Sequence, residues 1–237
     1  MNDNLLSKNY VVAFVDVLGA AAWIRRDVDG SLNTVHRVYE KSLALYNLLL
    51  AERINLDISI FSDNIVMARE VDEKCTLDRA FKAVHLMAAI IQGNFLFEGV
   101  LSRGGIAYGK FYIDDLMVWG DALTSAYHLE STVAIFPRIV IDPKLAKKLN
   151  LLEQSAENAK LLITQDWDGM LFVDYLQEKL IRDYDLVLLK EIGKFEERLL
   201  ECNSDVKIMQ KLIWHSNYIE SKLTVGDSVE KDEAVQD

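Results

Sequence analysis

Residues 10–18 read Tyr-Val-Val-Ala-Phe-Val-Asp-Val-Leu, a nearly unbroken apolar run with one acid, Asp16, set inside it. Such a run suits a central strand buried on both faces. Gly19 ends it. An ionised carboxylate in that setting is costly unless something neutralises it. Asp16 therefore marks a cation site, a partner for an arginine, or an edge position, and the strand alone leaves these open.

Outward from this strand, Leu32, Val35, Val38, Leu45 and Leu49 lie in a helical stretch from about Leu32 to Glu52. Ile54, Leu56, Ile58 and Ile60 then alternate with Asn55, Asp57 and Ser59, the period of a strand. Phe61-Ser62-Asp63-Asn64 reads as a tight turn, and Ile65 to Arg69 as the returning strand of a hairpin. Leu77, Phe81, Val84, Ala88, Ile91 and Phe95 recur at spacings of three and four, which predicts an amphipathic helix. Val100 to Ile113, punctuated by Gly104, Gly105 and Gly109, reads as one or two strands.

Strand, helix, strand, strand, helix, strand is the split βαβ, ferredoxin-like order, so the fold class is α+β. Beyond it come a helix from about Asp121 to Ser131 and a strand from Arg138 to Asp142. The last third mixes a strand around Leu161–Thr164 with helices near Val187–Leu200 and Val206–Leu223. Residues 1–142 are expected to form the core and 143–224 a C-terminal mixed α/β extension packed on that core or on a dimer. The acidic stretch 225–237 has no apolar periodicity and is expected to be a disordered tail.

Bulk properties narrow the function. A formal charge of −11 over 237 residues lacks the basic balance of a nucleic-acid binder and disfavours anionic lipid, though a local pocket for a small anion stays open. Two cysteines, Cys75 and Cys202, cannot frame a disulfide scaffold and fit reduced thiols in the cytoplasm. The four histidines show no zinc-site spacing. The first residues lack the pattern of a signal peptide. Val84–Phe97, which contains Gln92 and Asn94, reads as too short to span a bilayer, so no membrane is expected.

Asp63, at the hairpin tip, is the second acid that stands out. With the first strand at the centre, beside the strand that follows the first helix, hairpin tip and first-strand end approach each other. Two carboxylates meeting there call for a hard cation, magnesium or manganese. A hairpin Asp also serves turn chemistry by itself, and spacing leaves both readings standing.

The residues also carry a resemblance. Phe14-Val15-Asp16-Val17-Leu18-Gly19 resembles the first metal motif of class III adenylate and guanylate cyclases, and Phe61-Ser62-Asp63-Asn64 with Ile65 to Ala68 resembles the second. Leu101 to Gly109 (LSRGGIAYG) and Trp119-Gly120-Asp121-Ala122-Leu123 to Glu130-Ser131 resemble the two later blocks, in family order, over roughly residues 10–142. Within the family the blocks look most like the pyrimidine (uridylate and cytidylate) cyclases of bacterial anti-phage signalling, the Pycsar type.

That resemblance implies two divalent ions, Mn2+ or Mg2+, bridged by Asp16 and Asp63 with the Val17 carbonyl completing one shell. It implies UTP, less readily CTP, as substrate, cyclised to the 3′,5′-monophosphate with loss of pyrophosphate. It implies a head-to-tail homodimer with shared active sites and a separate effector protein activated by the product. Ser59 stands where adenylate cyclases carry a Lys, and Met117 where they carry an Asp, so the charged purine-reading pair is missing. Thr124 and His128 stand where the family has its transition-state Asn and Arg. Arg103 is then the leading cation to take over that charge, with Lys144 and Lys190 behind it. A solvated structural role for Arg103 is left open. Phe14 shares a face with Asp16 by strand alternation, either touching substrate or packing the core. The alternative to a cyclase is a catalytically degenerate, cyclase-like nucleotide-binding module, which Thr124 and His128 favour and the two aspartates oppose.

Overall fold

Strand β1 (Lys8–Val17) is bracketed by antiparallel neighbours, β3 (Asn64–Glu70) on one side and β4 (Ser102–Ile113) on the other. Val11, Val12, Ala13 and Val15 are wholly buried, as the apolar run requires. The computed structural model describes residues 5–49, 55–153, 162–177 and 205–233, together with 180, 190 and 194. Among these residues one sheet forms, in the order β2–β3–β1–β4–β6–β8–β7, and β5 (Val118–Gly120) pairs with β4 off that path. Here β2 is Asp57–Phe61, β6 Ile139–Ile141, β7 Ile163–Gln165 and β8 Leu171–Val173. The first four strands have the ferredoxin-like arrangement, and β6 extends the sheet parallel to β4.

One expected neighbour changes. β2, the strand that follows the first helical segment, is the sheet edge, and its hairpin partner β3 lies beside β1. The physical reason lies in composition. Ile65 to Ala68 of β3 are buried, whereas β2 alternates with Asp57 and Ser59 and leaves Phe61 exposed. The apolar strand takes the centre and the half-polar one the edge.

The helical segment before β2 is two helices, α1 (Ala20–Arg26) and α2 (Val28–Leu49). Along α2 the buried residues are Ser31, Val38, Ser42 and Tyr46, while Leu32 and Leu49 are exposed. The inward face is thus narrower and more polar than the leucines suggest. Ser42 sits on it because its hydroxyl donates to the Val38 carbonyl and accepts from Asn94 on the neighbouring helix.

That neighbour, α3 (Leu77–Phe97), starts at Thr76, whose side chain accepts from the Arg79 amide. It packs on β1, β3 and β4. At 21 residues it matches the helix that the periodicity predicts but exceeds the Val84–Phe97 stretch read as too short for a bilayer, and it is long and apolar enough to cross a membrane by composition. Most of its apolar window, 78%, is buried inside the protein, which makes it the core helix of this sheet.

On the other face, even-numbered Tyr10, Val12 and Phe14 join Val66, Ala68, Ala107 and Phe111 under Ala122 and Ala126 of α4 (Asp121–His128). A π-helical turn, Leu129–Val133, prolongs α4, and α5 (Pro143–Lys148) follows β6. The compact unit runs from Met1 to Tyr175, so the expected core boundary at 142 falls inside it. β7 and β8 continue the same sheet because Phe172 pairs with Val140.

Residues 176–237 form a second unit. It contains α6 (Val206–Glu233), which buries Leu212, His215 and Ile219 at helical spacing. The helix continues through Glu233, into the stretch expected to be a disordered tail; once nucleated, a helix adds residues at little cost. The helix expected at Val187–Leu200 lies outside the described residues, apart from helical positions 190 and 194.

Candidate active site

β1 delivers Asp16 one residue before its end, beside Asn64 of β3 and Arg103 of β4 in the strand register. Gly19 then turns the chain into α1 with φ 77°, a left-handed conformation that an L side chain adopts only with strain. The hairpin tip is fixed to the same place. The Val17 amide donates to the Asp63 carbonyl at 3.1 Å, and Ser62 before it holds φ 55°. Asp63 itself accepts from Asn64 Nδ2 at 3.2 Å. The two predicted acids therefore share one end of the central strands.

Arg103 joins them. Its Nε lies 3.4 Å from Asp16 Oδ2, and its Nη1 lies 3.5 Å from the Ala134 carbonyl. The arginine-partner reading of Asp16 is thus realised in the geometry, with a long and weak contact. Burial pushes the Asp16 carboxyl above its ordinary range; Arg103 opposes this and Asp63 adds to it. A carboxylate that burial and a second acid both disfavour is one that further positive charge would stabilise.

Sequence reading missed a third acid. Glu130, in the π-turn, is almost wholly buried, with only 4% of its side chain exposed, and its Oε1 lies 2.5 Å from Arg103 Nη2. Burial raises its proton affinity first; Arg103 opposes this, and Asp16 and Asp63 contribute in the same direction as burial. The available signal was spacing. Ala122, Ala126 and Glu130 recur at i, i+4 and i+8, which puts the acid on the inward stripe of α4. Gly105 lets that stripe come close: a Cβ there would meet the Ala126 carbonyl oxygen at 2.4 Å and Leu129 Cβ at 2.6 Å.

The remaining predicted residues divide. Phe14 is buried, edge-to-face with Tyr127 at 5.5 Å between ring centroids, which is the core-packing alternative. Ser59 is half-buried on β2, in the register row of Val66 and Phe14, two rows in from Asp16. Met117 lies in the β4–β5 turn, 40% exposed, and its amide donates to Asp114 Oδ1. Thr124 is exposed and donates to the Gly120 carbonyl of its own helix. His128 is exposed, with Nε2 3.4 Å from Thr132 Oγ1. Met117 lies beyond the far end of β4, roughly 33 Å along the strand from Arg103 at a strand's ordinary rise, whereas Thr124 lies on α4 between Asp121, which faces Gly109, and Ala126, which faces Gly105. Lys144 is exposed at the start of α5, and Lys190 is an exposed helical residue in the second unit.

Among the described residues no three His, Cys, Asp or Glu side chains are arranged to hold a metal ion. Two carboxylates remain, with the Val17 main-chain carbonyl adjoining. This all-oxygen set fits Mg2+ or Mn2+, which complete their shells with water and substrate phosphates.

No family model matches the sequence, and no curated protein matches it. Solved structures do match. The adenylyl cyclase CyaB from P. aeruginosa is 14% identical with a TM-score of 0.47, over 70% of this chain and 93% of that one. The guanylate cyclase domain of RhGC from Catenaria anguillulae, in complex with GTP, is 16% identical with a TM-score of 0.47, over 70% and 93%. A bacterial light-regulated adenylyl cyclase is 13% identical with a TM-score of 0.45, over 78% and 98%. Likenesses at these identities and scores leave the function to be read from the site alone.

Proposed function

We propose that this chain is a nucleotidyl cyclase that converts UTP, less readily CTP, to the 3′,5′-cyclic monophosphate and pyrophosphate. The observation that carries the reading is the meeting of Asp16 and Asp63 at one end of β1 and β3, locked by the bond from the Val17 amide to the Asp63 carbonyl, with Arg103 alongside.

In this reading Asp16 and Asp63 would hold two divalent ions, Mn2+ or Mg2+, with the Val17 carbonyl as a further oxygen ligand. Bound there, the ions supply charge neutralisation at the triphosphate and acidify the attacking hydroxyl. The 3′-oxygen forms a bond to the α-phosphorus as the bond to the β-bridging oxygen breaks; the hydroxyl proton passes to solvent and pyrophosphate leaves. Arg103 donates to the α-phosphate oxygens as charge develops. Ser59 can both donate to and accept from a pyrimidine edge, and the apolar Met117 suits a pocket without a purine-reading acid.

Met117 cannot reach Asp16 of its own chain, since it lies past the other end of β4. A second copy, head to tail, would bring its far end to the first copy's acids, which supports a homodimer with shared sites. Release of a cyclic pyrimidine nucleotide to a separate effector, in anti-phage defence, follows from the resemblance of the motifs.

Purified protein incubated with Mn2+ and each of ATP, GTP, CTP and UTP is expected to yield a cyclic monophosphate from UTP. Asp16→Ala and Asp63→Ala proteins are expected to lose at least about a hundredfold in rate, the scale of removing one charge-stabilising group. A second reading has two observations of its own: Arg103 lies 3.4 Å from Asp16, and Thr124 bonds its own helix. Tight triphosphate binding without product would establish that degenerate binding module instead.

A further inference from the structure

We propose, resting on the cyclase reading of Asp16 and Asp63, that Glu130 is the positioning residue that holds Arg103 and keeps it from closing on Asp16.

Three contacts fix the guanidinium, and they are unequal. The contact to Glu130 is short, 2.5 Å, and its carboxylate is almost wholly buried. The contacts to Asp16 and to the Ala134 carbonyl are 3.4 and 3.5 Å, at the weak end of the hydrogen-bond range. Glu130 lies in the π-turn and Ala134 caps its C-terminal end, so one short segment meets Arg103 from two sides. Only the Asp16 contact comes from the strand that bears a candidate metal ligand.

Charge gives the arrangement its logic. A cation at Asp16 and a guanidinium on the same carboxylate repel each other. Glu130 supplies Arg103 with a counter-ion of its own, so Asp16 is left to the metal. Arginine carries five N–H donors; Nε and Nη1 donate to Asp16 and to the Ala134 carbonyl, Nη2 ion-pairs with Glu130, and the remaining N–H groups can serve a substrate anion. Remove the charge of Glu130 and the nearest remaining anion for Arg103 is Asp16. The guanidinium then competes with the metal.

The test is a double-mutant cycle on Glu130→Gln and Arg103→Gln in the full chain, read in two ways. In urea unfolding the two substitutions are expected to couple by about tenfold in the unfolding equilibrium constant. Additive effects would overturn the proposal. In calorimetric titration with Mn2+ alone, Glu130→Gln is expected to weaken binding by about tenfold, the usual effect of losing a partner behind a metal ligand. In the Arg103→Gln background the same change is expected to leave binding unaltered. Weakening that persists without Arg103 would make Glu130 a direct ligand and defeat the positioning role. Glu130→Asp, which keeps the charge, is expected to restore part of the affinity. Should Mn2+ binding prove independent of Asp16, the cyclase reading fails, while the unfolding cycle still decides whether Glu130 holds Arg103.

Discussion

At Gly105 the end of α4 closes on the sheet, and the site depends on that approach. A methyl group at this position meets backbone and Leu129, neither of which can move cheaply. Gly105→Ala is expected to cost about 1–3 kcal/mol, the range for overpacking, measured by urea denaturation. Because Glu130 rides on the displaced turn, product formation should fall with it. Asp16 makes the opposite trade. Its folded-state pKa is raised by burial, so the folded chain holds that proton more tightly than the unfolded one. Its contribution favours folding below the unfolded carboxylate range near pH 4 and is lost as pH rises through the folded pKa. Asp16→Asn is therefore expected to raise the urea midpoint of metal-free protein at pH 7, and to abolish turnover in the Mn2+ assay. At pH 3 the gain should vanish, since both states then carry the proton.

Among the elements, the β7–β8 hairpin shows how an edge of the sheet is fastened. Arg138, 1% exposed, ion-pairs with both Asp166 and Asp168 in the hairpin turn and lies over the Phe136 ring. Arg138 in turn holds the Asp168 carboxyl below its ordinary pKa, chiefly through their hydrogen bond. Arg138→Ala would leave two acids facing a vacated pocket. It is expected to destabilise the chain by about 3–5 kcal/mol, as removal of one partner of a buried ion pair does, and hydrogen exchange should show β7 and β8 opening first. The triple change Arg138→Met, Asp166→Asn and Asp168→Asn should recover part of the loss. Strand periods made these elements visible in the sequence in part. The alternation around Ile58 and Ile60 announced β2, and the apolar run announced β1. β8 is only Leu171–Val173, too short to show any period, and the ion pair that seats its hairpin joins residues 28 and 30 positions apart.

For the whole molecule, the face of the sheet under α4 sets a limit at alkaline pH. Tyr10 is buried there, edge-to-face with Phe111 at 5.4 Å. Burial, and then Asp57 and Glu70, push its hydroxyl up to about 12. The folded state keeps this proton where the unfolded chain would release it near pH 10. Its share of stability is thus fully present below pH 10 and lost as pH approaches 12. Tyr10→Phe is expected to flatten that part of the stability profile, followed by circular dichroism between pH 9 and 12.

The sequence by itself determined the local and periodic features: an acid inside an apolar strand, a second acid in a tight turn, a helix that recurs at three and four, and the order of elements that makes an α+β sheet. Each of these is set by neighbours in the chain, so period and turn chemistry report it. Only the tertiary structure decided which strand stood beside β1, because that choice follows from comparing the apolar content of β2 and β3 against everything else to be buried. Only it showed that Arg103 faces Asp16 across the β1–β4 register, and that Glu130 closes on Arg103 from 27 residues further along the chain. Contacts of that kind depend on how closely two surfaces pack. At this site the packing distance rests on the absence of one side chain, at Gly105.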